Sequence, residues 1–324
     1  MNIEKHTYLI MTLDPVHIGT GGYRLGRVDN AIAREPGTNL PKIPGTSLHG
    51  AIRSAAAIRA GKIKAAGQKP EGRPHECVIV YTFGAGEAGG FNAGVVSICD
   101  ARLLLFPIAA LCGPVWITTK SLLDEHGFQG TVSPSSNEKV VAANELPTIG
   151  ETGFNVGWLM LERETTTSIN APTQSNCDWG SQPQIQEVLK RTVIVHEDLF
   201  AHLVNSGLEV RTSVAINPET GAAEEGALFT YEAIPRATFL TFDVVSDDYQ
   251  HKVNGGSPFT FSDVVVQDLE TARRLGLPGA EPKPIYVVNA GLELAEYLGI
   301  GGMGTRGFGR IRKVGSPVSV SPTT

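Results

Sequence analysis

The strands spelled by this sequence are not followed by helices of regular crossover length, and that pattern most limits what the chain can fold into. His6 to Asp14 alternates Tyr8, Ile10 and Thr12 with Thr7, Leu9, Met11 and Leu13, a strand signature rich in β-branched and aromatic residues. A glycine-rich loop comes next, Gly19-Thr20-Gly21-Gly22 and on to about Gly26, where a doubly wound fold would place a helix. Strands and helices stay mixed along the rest of the chain, which favours α+β over a parallel, doubly wound sheet. No fixed-period internal repeat is present.

Pro44-Gly45-Thr46 stops the chain and offers Thr46 or Ser47 as a helix N-cap. Leu48 to Arg59 then reads as a helix, with Leu48, Ile52, Ala55 and Ala56 on one face and Arg53 turned away. Residues 61–76 are a polar loop. Val95 to Phe106 reads as a buried strand or strand pair ended by Pro107, and Thr118 to His126 as a short helix ended by Gly127. Residues 130–157 are rich in Ser, Asn, Gly and Pro and read as irregular. Glu197 to Asn205 is a helix. Glu209 to Ile216, the turn Asn217-Pro218-Glu219-Thr220-Gly221, and Ala227 to Tyr231 form a hairpin. A strand over Thr238 to Val245, helices over Val264 to Leu275 and Gly291 to Leu298, a glycine loop and a final strand from Gly309 to Val314 complete the reading.

With 324 residues, 41% of them hydrophobic, the chain can bury one large core. Its longest apolar run, Leu103 to Trp116, is broken by Pro107, Gly113 and Pro114, and the N-terminus lacks a basic region followed by an apolar one. Neither a membrane partner nor secretion is expected. Cys77, Cys99, Cys112 and Cys177 lie far apart with no C-x-x-C pair, which points to thiols in a reducing cytoplasm. His75-x-Cys77 offers two zinc ligands at most, and isolated His and Cys are usually structural.

A net charge of −6 argues against an indiscriminate nucleic-acid binder, but the charge is uneven. Lys42, Arg53, Arg59, Lys62, Lys64, Lys69 and Arg73 face one acid, Glu71, within their stretch. Arg306, Arg310, Arg312 and Lys313 face none between Gly301 and Lys313, while acids gather at Glu219, Glu224 and Glu225. Gly302 to Gly307 spells G-x-G-x-x-G, yet a helix precedes it, a strand follows and the required acid is missing, so a dinucleotide fingerprint is excluded. Such a loop still lets backbone N–H groups approach phosphate, with Arg306 and Arg310 beside it. Gly45-Thr46-Ser47-Leu48-His49 lacks the last glycine of a nucleophile elbow.

Six segments, in order, resemble one family. They are Asp14-Pro15-Val16-His17-Ile18-Gly19-Thr20-Gly21, Gly26 to Glu35 around Asp29, and Pro41 to Arg53. Asp100 to Pro107, Glu225 to Phe229 with Glu232 and Pro235, and Gly301 to Gly309 complete the set. Together they resemble the RAMP superfamily of CRISPR-associated proteins, in the branch that supplies the repeated backbone subunit of type III-B (Cmr) effectors. His49 departs from the pattern, standing where relatives carry a guide-binding lysine.

The resemblance implies a single RAMP domain over residues 1–324. Its ferredoxin-like (RRM-like) palm would comprise 1–207 and 236–324, with a β-hairpin thumb at 208–235 and long loop insertions. It implies guide RNA, target RNA, further copies of the chain stacked head to tail, and other type III effector subunits as partners. Asp29 is then the residue that cuts target RNA with a divalent metal, Mg2+ or Mn2+, either as ligand or as base; His17 and Glu232 are further catalytic candidates. Lys42, Ser47, His49, Arg53, Gly302, Gly304, Arg306, Gly307 and Arg310 would meet RNA. Two alternatives stand beside it, a scaffold that does not cut and a guide-maturing endoribonuclease using His17 as base.

Overall fold

The computed structural model describes residues 3–21, 28–67, 70–85, 92–172, 177–247, 251–252, 258–279 and 281–320. The stretch from Gly22 to Arg27, which includes part of the first glycine loop, and Lys69 of the basic run lie outside the described residues. The chain opens with β1 (Ile3–Thr12), then α1 (Gly45–Ala60), α2 (Val78–Phe83) and a two-residue ladder of β2 (Gly84–Ala85) and β3 (Asn92–Ala93). Next come β4 (Val96–Ile98), β5 (Arg102–Ile108), β6 (Val115–Thr118), α3 (Lys120–Glu125), β7 (Lys139–Ala143), β8 (Gly153–Val156) and β9 (Leu159–Thr167). After α4 (Pro183–Leu189), β10 (Thr192–Val195) and α5 (Glu197–Ser206), β11 (Glu209–Ile216) and β12 (Ala223–Ala233) form the hairpin. The last part holds β13 (Phe239–Asp247), a second ladder of β14 (His251–Lys252) and β15 (Pro258–Phe259), α6 (Phe261–Gln267), α7 (Leu269–Leu275), α8 (Pro284–Leu298), β16 (Ile311–Lys313) and β17 (Val318–Val320).

One mixed sheet dominates, in the order β16-β1-β13-β5-β6-β10-β7-β9-β8, with β17 also on β1 and β4 also on β13. Its centre is the antiparallel pair β1–β13, in register from Ile3↔Asp247 to Met11↔Phe239. Successive side chains of β1 point to opposite faces, so Tyr8 and Ile10 join one core and Leu9 another. Tyr8 stacks on Phe242 at 5.0 Å, in a core shared with Leu48 and Ile52 of α1 and Val288 and Leu292 of α8. On the other face Leu9 packs with Leu104, Phe239, Trp179 and Ile185. Each such buried side chain is worth about 1.5–3 kcal/mol, so β1 is pinned from both sides and its C-terminal end is a fixed point for the loop that follows.

The mixed pattern expected from the sequence is present, and the hairpin's first strand falls on Glu209–Ile216 as expected. Several local expectations are corrected. Neither Thr46 nor Ser47 caps α1; the N-cap is Pro44, and the Gly45 amide is satisfied instead by the Asp100 carboxylate at 2.7 Å. Pro107 does not end its strand but lies inside β5 opposite Trp116. Residues 130–157 are not irregular throughout: Val140 to Ala143, Phe154 and Val156 are buried, and these apolar residues build β7 and β8 among the polar ones. The helix expected over Val264 to Leu275 breaks at Asp268, whose carboxylate accepts from Lys62 Nζ at 2.7 Å and from the Val78 amide at 3.1 Å. Arg53 does not turn away from the core. It is buried, and its guanidinium donates to the Ala65 and Gly84 carbonyls.

Candidate nucleic-acid interface

Three backbone segments meet where β1 ends. Val16 bridges Ile234, Gly19 bridges Ile32, and Asn30 bridges Tyr231, so the 14–19 loop, the 28–34 loop and the end of β12 form one small mixed ladder. The C-terminal glycine loop closes over it: the Gly302 amide donates to the His17 carbonyl at 3.0 Å and Gly309 to that of Pro15 at 2.8 Å. At Gly301 a Cβ would sit 2.4 Å from the His17 oxygen, and its φ is +78°, so both space and conformation demand glycine there. The structure thus joins His17, Glu232 and Gly302 by hydrogen bonds and sets Asp29 on the same ladder; Arg310 reaches Asp14, Arg306 reaches Ser213 of β11, and Gly304 and Gly307 share the glycine loop.

Asp29 is exposed on this ladder. Its Oδ2 accepts from the Thr230 amide at 2.8 Å and from Thr230 Oγ1 at 2.7 Å, while its own amide donates to Thr230 Oγ1 at 2.9 Å. The Thr230 amide, and then its hydroxyl, hold the Asp29 carboxyl below the usual carboxylate range. His17 is buried, with Nδ1 2.7 Å from the Glu232 carbonyl. A carbonyl only accepts, so Nδ1 carries the proton in neutral His17 and Nε2 is the nitrogen left to exchange one. The His17 ring also meets Tyr231 edge-on at 5.7 Å.

Glu232 is not placed as an independent base. Its Oε1 accepts from Arg34 Nη2 at 2.6 Å and its Oε2 from the Ile32 amide at 3.3 Å, with the side chain buried. Arg34 is fixed in turn by the Ile32 carbonyl at 3.1 Å and Asn205 Oδ1 at 3.0 Å. A carboxylate so paired shapes the 28–34 loop; freeing it for chemistry would strand a half-buried guanidinium. Among the described residues, no three His, Cys, Asp or Glu side chains gather to hold a metal ion.

Of the basic residues, Arg306 is exposed and donates to Ser213 Oγ of β11 at 3.2 Å, while Arg310 forks onto Asp14 at 2.5 and 3.2 Å. Lys42, Ser47, His49 and Arg53 form a second region around the start of α1. Lys42 pairs with Asp100 at 2.5 Å. His49 lies edge-on to Phe83 at 5.3 Å; burial, and then the charge of Arg53, push its pKa down, so it is neutral near pH 7 where a lysine would be charged. Sequence reasoning gave no role to Thr230, Arg34, Tyr231 or Asp100. Arg34 and Asp100 lie inside the motif segments, so a search there for a partner to each buried opposite charge had the means to find them; Thr230 carries no such signal.

The chain matches the RAMP superfamily over residues 9–312, which takes in all of these loops, and it belongs to that superfamily. Within it the likeness is to the type III-B branch. The CRISPR system Cmr endoribonuclease Cmr4 of Pyrococcus furiosus is 26% identical over 246 residues, 71% of this chain and 78% of that one. The CRISPR system Cms endoribonuclease Csm3 of Enterococcus italicus is 33% identical over a shorter 94 residues, 28% of this chain and 42% of that one. A chain of the type III-B Cmr-beta complex bound to cognate target RNA superposes with a TM-score of 0.60 at 16% identity, covering 96% of this chain and 97% of that one. Oligomeric Cmr4 from Pyrococcus furiosus gives 0.56 at 18% identity, covering 97% and 98%. Among the described residues no helix is long and apolar enough to cross a membrane.

Proposed function

We propose that this protein is a backbone subunit of a type III-B CRISPR effector, repeated along a guide RNA, and that each copy cuts the complementary target RNA at Asp29. The observation that carries this reading is the exposed Asp29 carboxylate, set on the ladder of the 14–19 loop, the 28–34 loop and the end of β12, over which the glycine loop closes. The likeness to Cmr4, an endoribonuclease by name, supports the activity. The hairpin supports the thumb: Val214, Ile216 and Leu228 expose apolar surface on its outer part, as a wedge between bases requires.

Cutting RNA at one linkage needs the 2′-OH to lose its proton, the 2′-oxygen to bond to phosphorus and the 5′-oxygen to leave with a proton. A carboxylate held below its usual range is a weak base, so Asp29 suits metal ligation better than proton abstraction. A divalent metal, Mg2+ or Mn2+, would be held here by the Asp29 carboxylate alone among the described residues and would need the RNA or water for its other ligands. Both hydrogen bonds from Thr230 fall on Asp29 Oδ2. When bound, such an ion neutralises charge building on the phosphate. His17, whose Nδ1 is engaged by the Glu232 carbonyl, has Nε2 as its other ring nitrogen for a role in proton transfer. Arg306 and the amides of the glycine loop hold the RNA backbone rather than reading base edges.

The test is a guide complex reconstituted with Asp29→Asn. The amide keeps the shape and still accepts from Thr230, but the charge is gone. Target binding should stay and a ladder of regularly spaced fragments should disappear, each cut slowed at least about 10²-fold. Cutting at the same positions by Asp29→Asn would remove Asp29 from the reaction and leave the scaffold or His17 alternatives.

A further inference from the structure

We infer that Thr230 is the positioning residue for Asp29, and that through it the cutting carboxylate is tied to the hairpin. The inference rests on the reading of Asp29 above and deepens it. Three hydrogen bonds run in both directions between the two residues: Thr230 N and Oγ1 both donate to Asp29 Oδ2, and the Asp29 amide donates back to Thr230 Oγ1. The hydroxyl therefore donates and accepts at once, which commits its proton to Oδ2. With both bonds to Oδ2 coming from one residue, the plane of the carboxylate and the direction of Oδ1 follow the backbone of β12. An exposed aspartate without such partners turns freely about its two side-chain torsions.

The surrounding backbone separates this role from simple loop anchoring. Asn30 N donates to the Thr230 carbonyl at 3.0 Å, Glu232 N donates to the Asn30 carbonyl at 3.0 Å, and Arg34 pairs with Glu232. These bonds keep the 28–34 loop on β12 whether or not residue 230 carries a hydroxyl. What the hydroxyl adds is local to residue 29: a second bond to the carboxylate and an acceptor for the Asp29 amide. Thr230 also directly follows Leu228 and Phe229, which are 62% and 38% exposed on the same strand. Wherever the hairpin seats against RNA, Asp29 is carried with it.

The experiment compares Thr230→Val, which keeps the branched shape that packs in a strand, with Thr230→Ser, which keeps the hydroxyl. Both are assembled with guide RNA and scored by single-turnover cutting at saturating target and, separately, by target Kd. Thr230→Val should cut about 10²-fold more slowly, the scale of a small misplacement of a reacting group, with target Kd unchanged; Thr230→Ser should restore the rate to within about threefold. On an Asp29→Asn background the valine change should cost nothing further. Valine cutting at the wild-type rate, valine and serine equally impaired, or a loss of rate matched by a loss of target binding would each overturn the inference. If Asp29→Asn is inactive in the same assay, only the role of Thr230 falls; if Asp29→Asn cuts, the reading of Asp29 falls with it.

Discussion

Replacing Arg53 with methionine removes a guanidinium that is buried between two backbone carbonyls, Ala65 O at 3.0 Å and Gly84 O at 2.7 Å. Both carbonyls have exchanged water for this donor, and each stranded buried acceptor costs about 1–3 kcal/mol. Methionine fills much of the volume of the arginine stem, so the cavity contribution is small. The sum is a loss of about 2–6 kcal/mol, a large share of the roughly 5–15 kcal/mol that holds a domain folded. Urea unfolding at pH 7 checks it: the midpoint should drop with the m-value unchanged. The same variant, kept under conditions where it stays folded, should bind guide RNA with the wild-type salt dependence, because a guanidinium engaged with carbonyls neutralises no phosphate. A lost phosphate contact would flatten the slope of log K against log salt by about 0.7. A flatter slope with an unmoved urea midpoint would refute the buried role and restore Arg53 as an RNA contact.

Gly291 sits where α8 crosses α1, and a Cβ there would lie 2.4 Å from the Ile52 carbonyl oxygen. Gly291→Ala should therefore destabilise by about 1–3 kcal/mol, whereas Gly50→Ala, in the same α1 but facing open space, should stabilise by up to about 1 kcal/mol; thermal midpoints of the two variants check the pair. His126 is pushed below the ordinary histidine pKa, chiefly by burial, with Glu125 and Asp243 opposing and Arg102 and Lys5 assisting. The unfolded chain thus binds that proton first. The stability His126 contributes is complete above about pH 6.5 and declines as pH falls through that value toward the depressed folded-state pKa. NMR titration should place the His126 midpoint below 6.5, and a midpoint above it would reverse the sign.

The sequence revealed most where local chemistry and tertiary need agree. The hairpin could be read because its Asn-Pro-Glu-Thr-Gly turn sits between two β-rich runs, and Asn217 Oδ1 does accept from the Glu219 and Thr220 amides. The α1 cap could not, since its acceptor, Asp100, lies 55 positions away. The strands of residues 130–157 were hidden for a related reason: Val140 to Ala143 are held by β9 and β10, partners supplied from distant sequence. At the site, glycine positions and Asp29 could be read from motif order. The bonds that orient Asp29 come from Thr230, 201 residues on, and nothing local to either residue announces them. Arg53 was misread because a helical wheel assigns arginine to solvent, whereas this one donates to two buried backbone carbonyls, those of Ala65 and Gly84.

The cations near the proposed RNA path are mostly committed inside the protein, and this bears on how an acidic chain would hold RNA. Lys42 is paired with Asp100, Arg34 with Glu232, and Arg310 with Asp14, each in a pair of net charge zero. Arg306 differs, because its partner Ser213 is neutral and its charge stays available. Beside it Gly301, Met303 and Gly307 adopt left-handed φ values of +78°, +66° and +80°, while the amides of Gly302, Arg306, Gly307 and Gly309 are spent on internal carbonyls. Among the described residues, phosphate recognition by one copy would then fall on a few amides, Arg306 and the exposed Arg236 near Asp14. Affinity has to come from repetition, with each added copy binding at the high effective concentration set by its neighbour on the same RNA. On that logic a net charge of −6 is no obstacle. It would keep an isolated copy from adhering to unrelated nucleic acid, and on the proposed reading would leave stable binding to copies stacked along one guide.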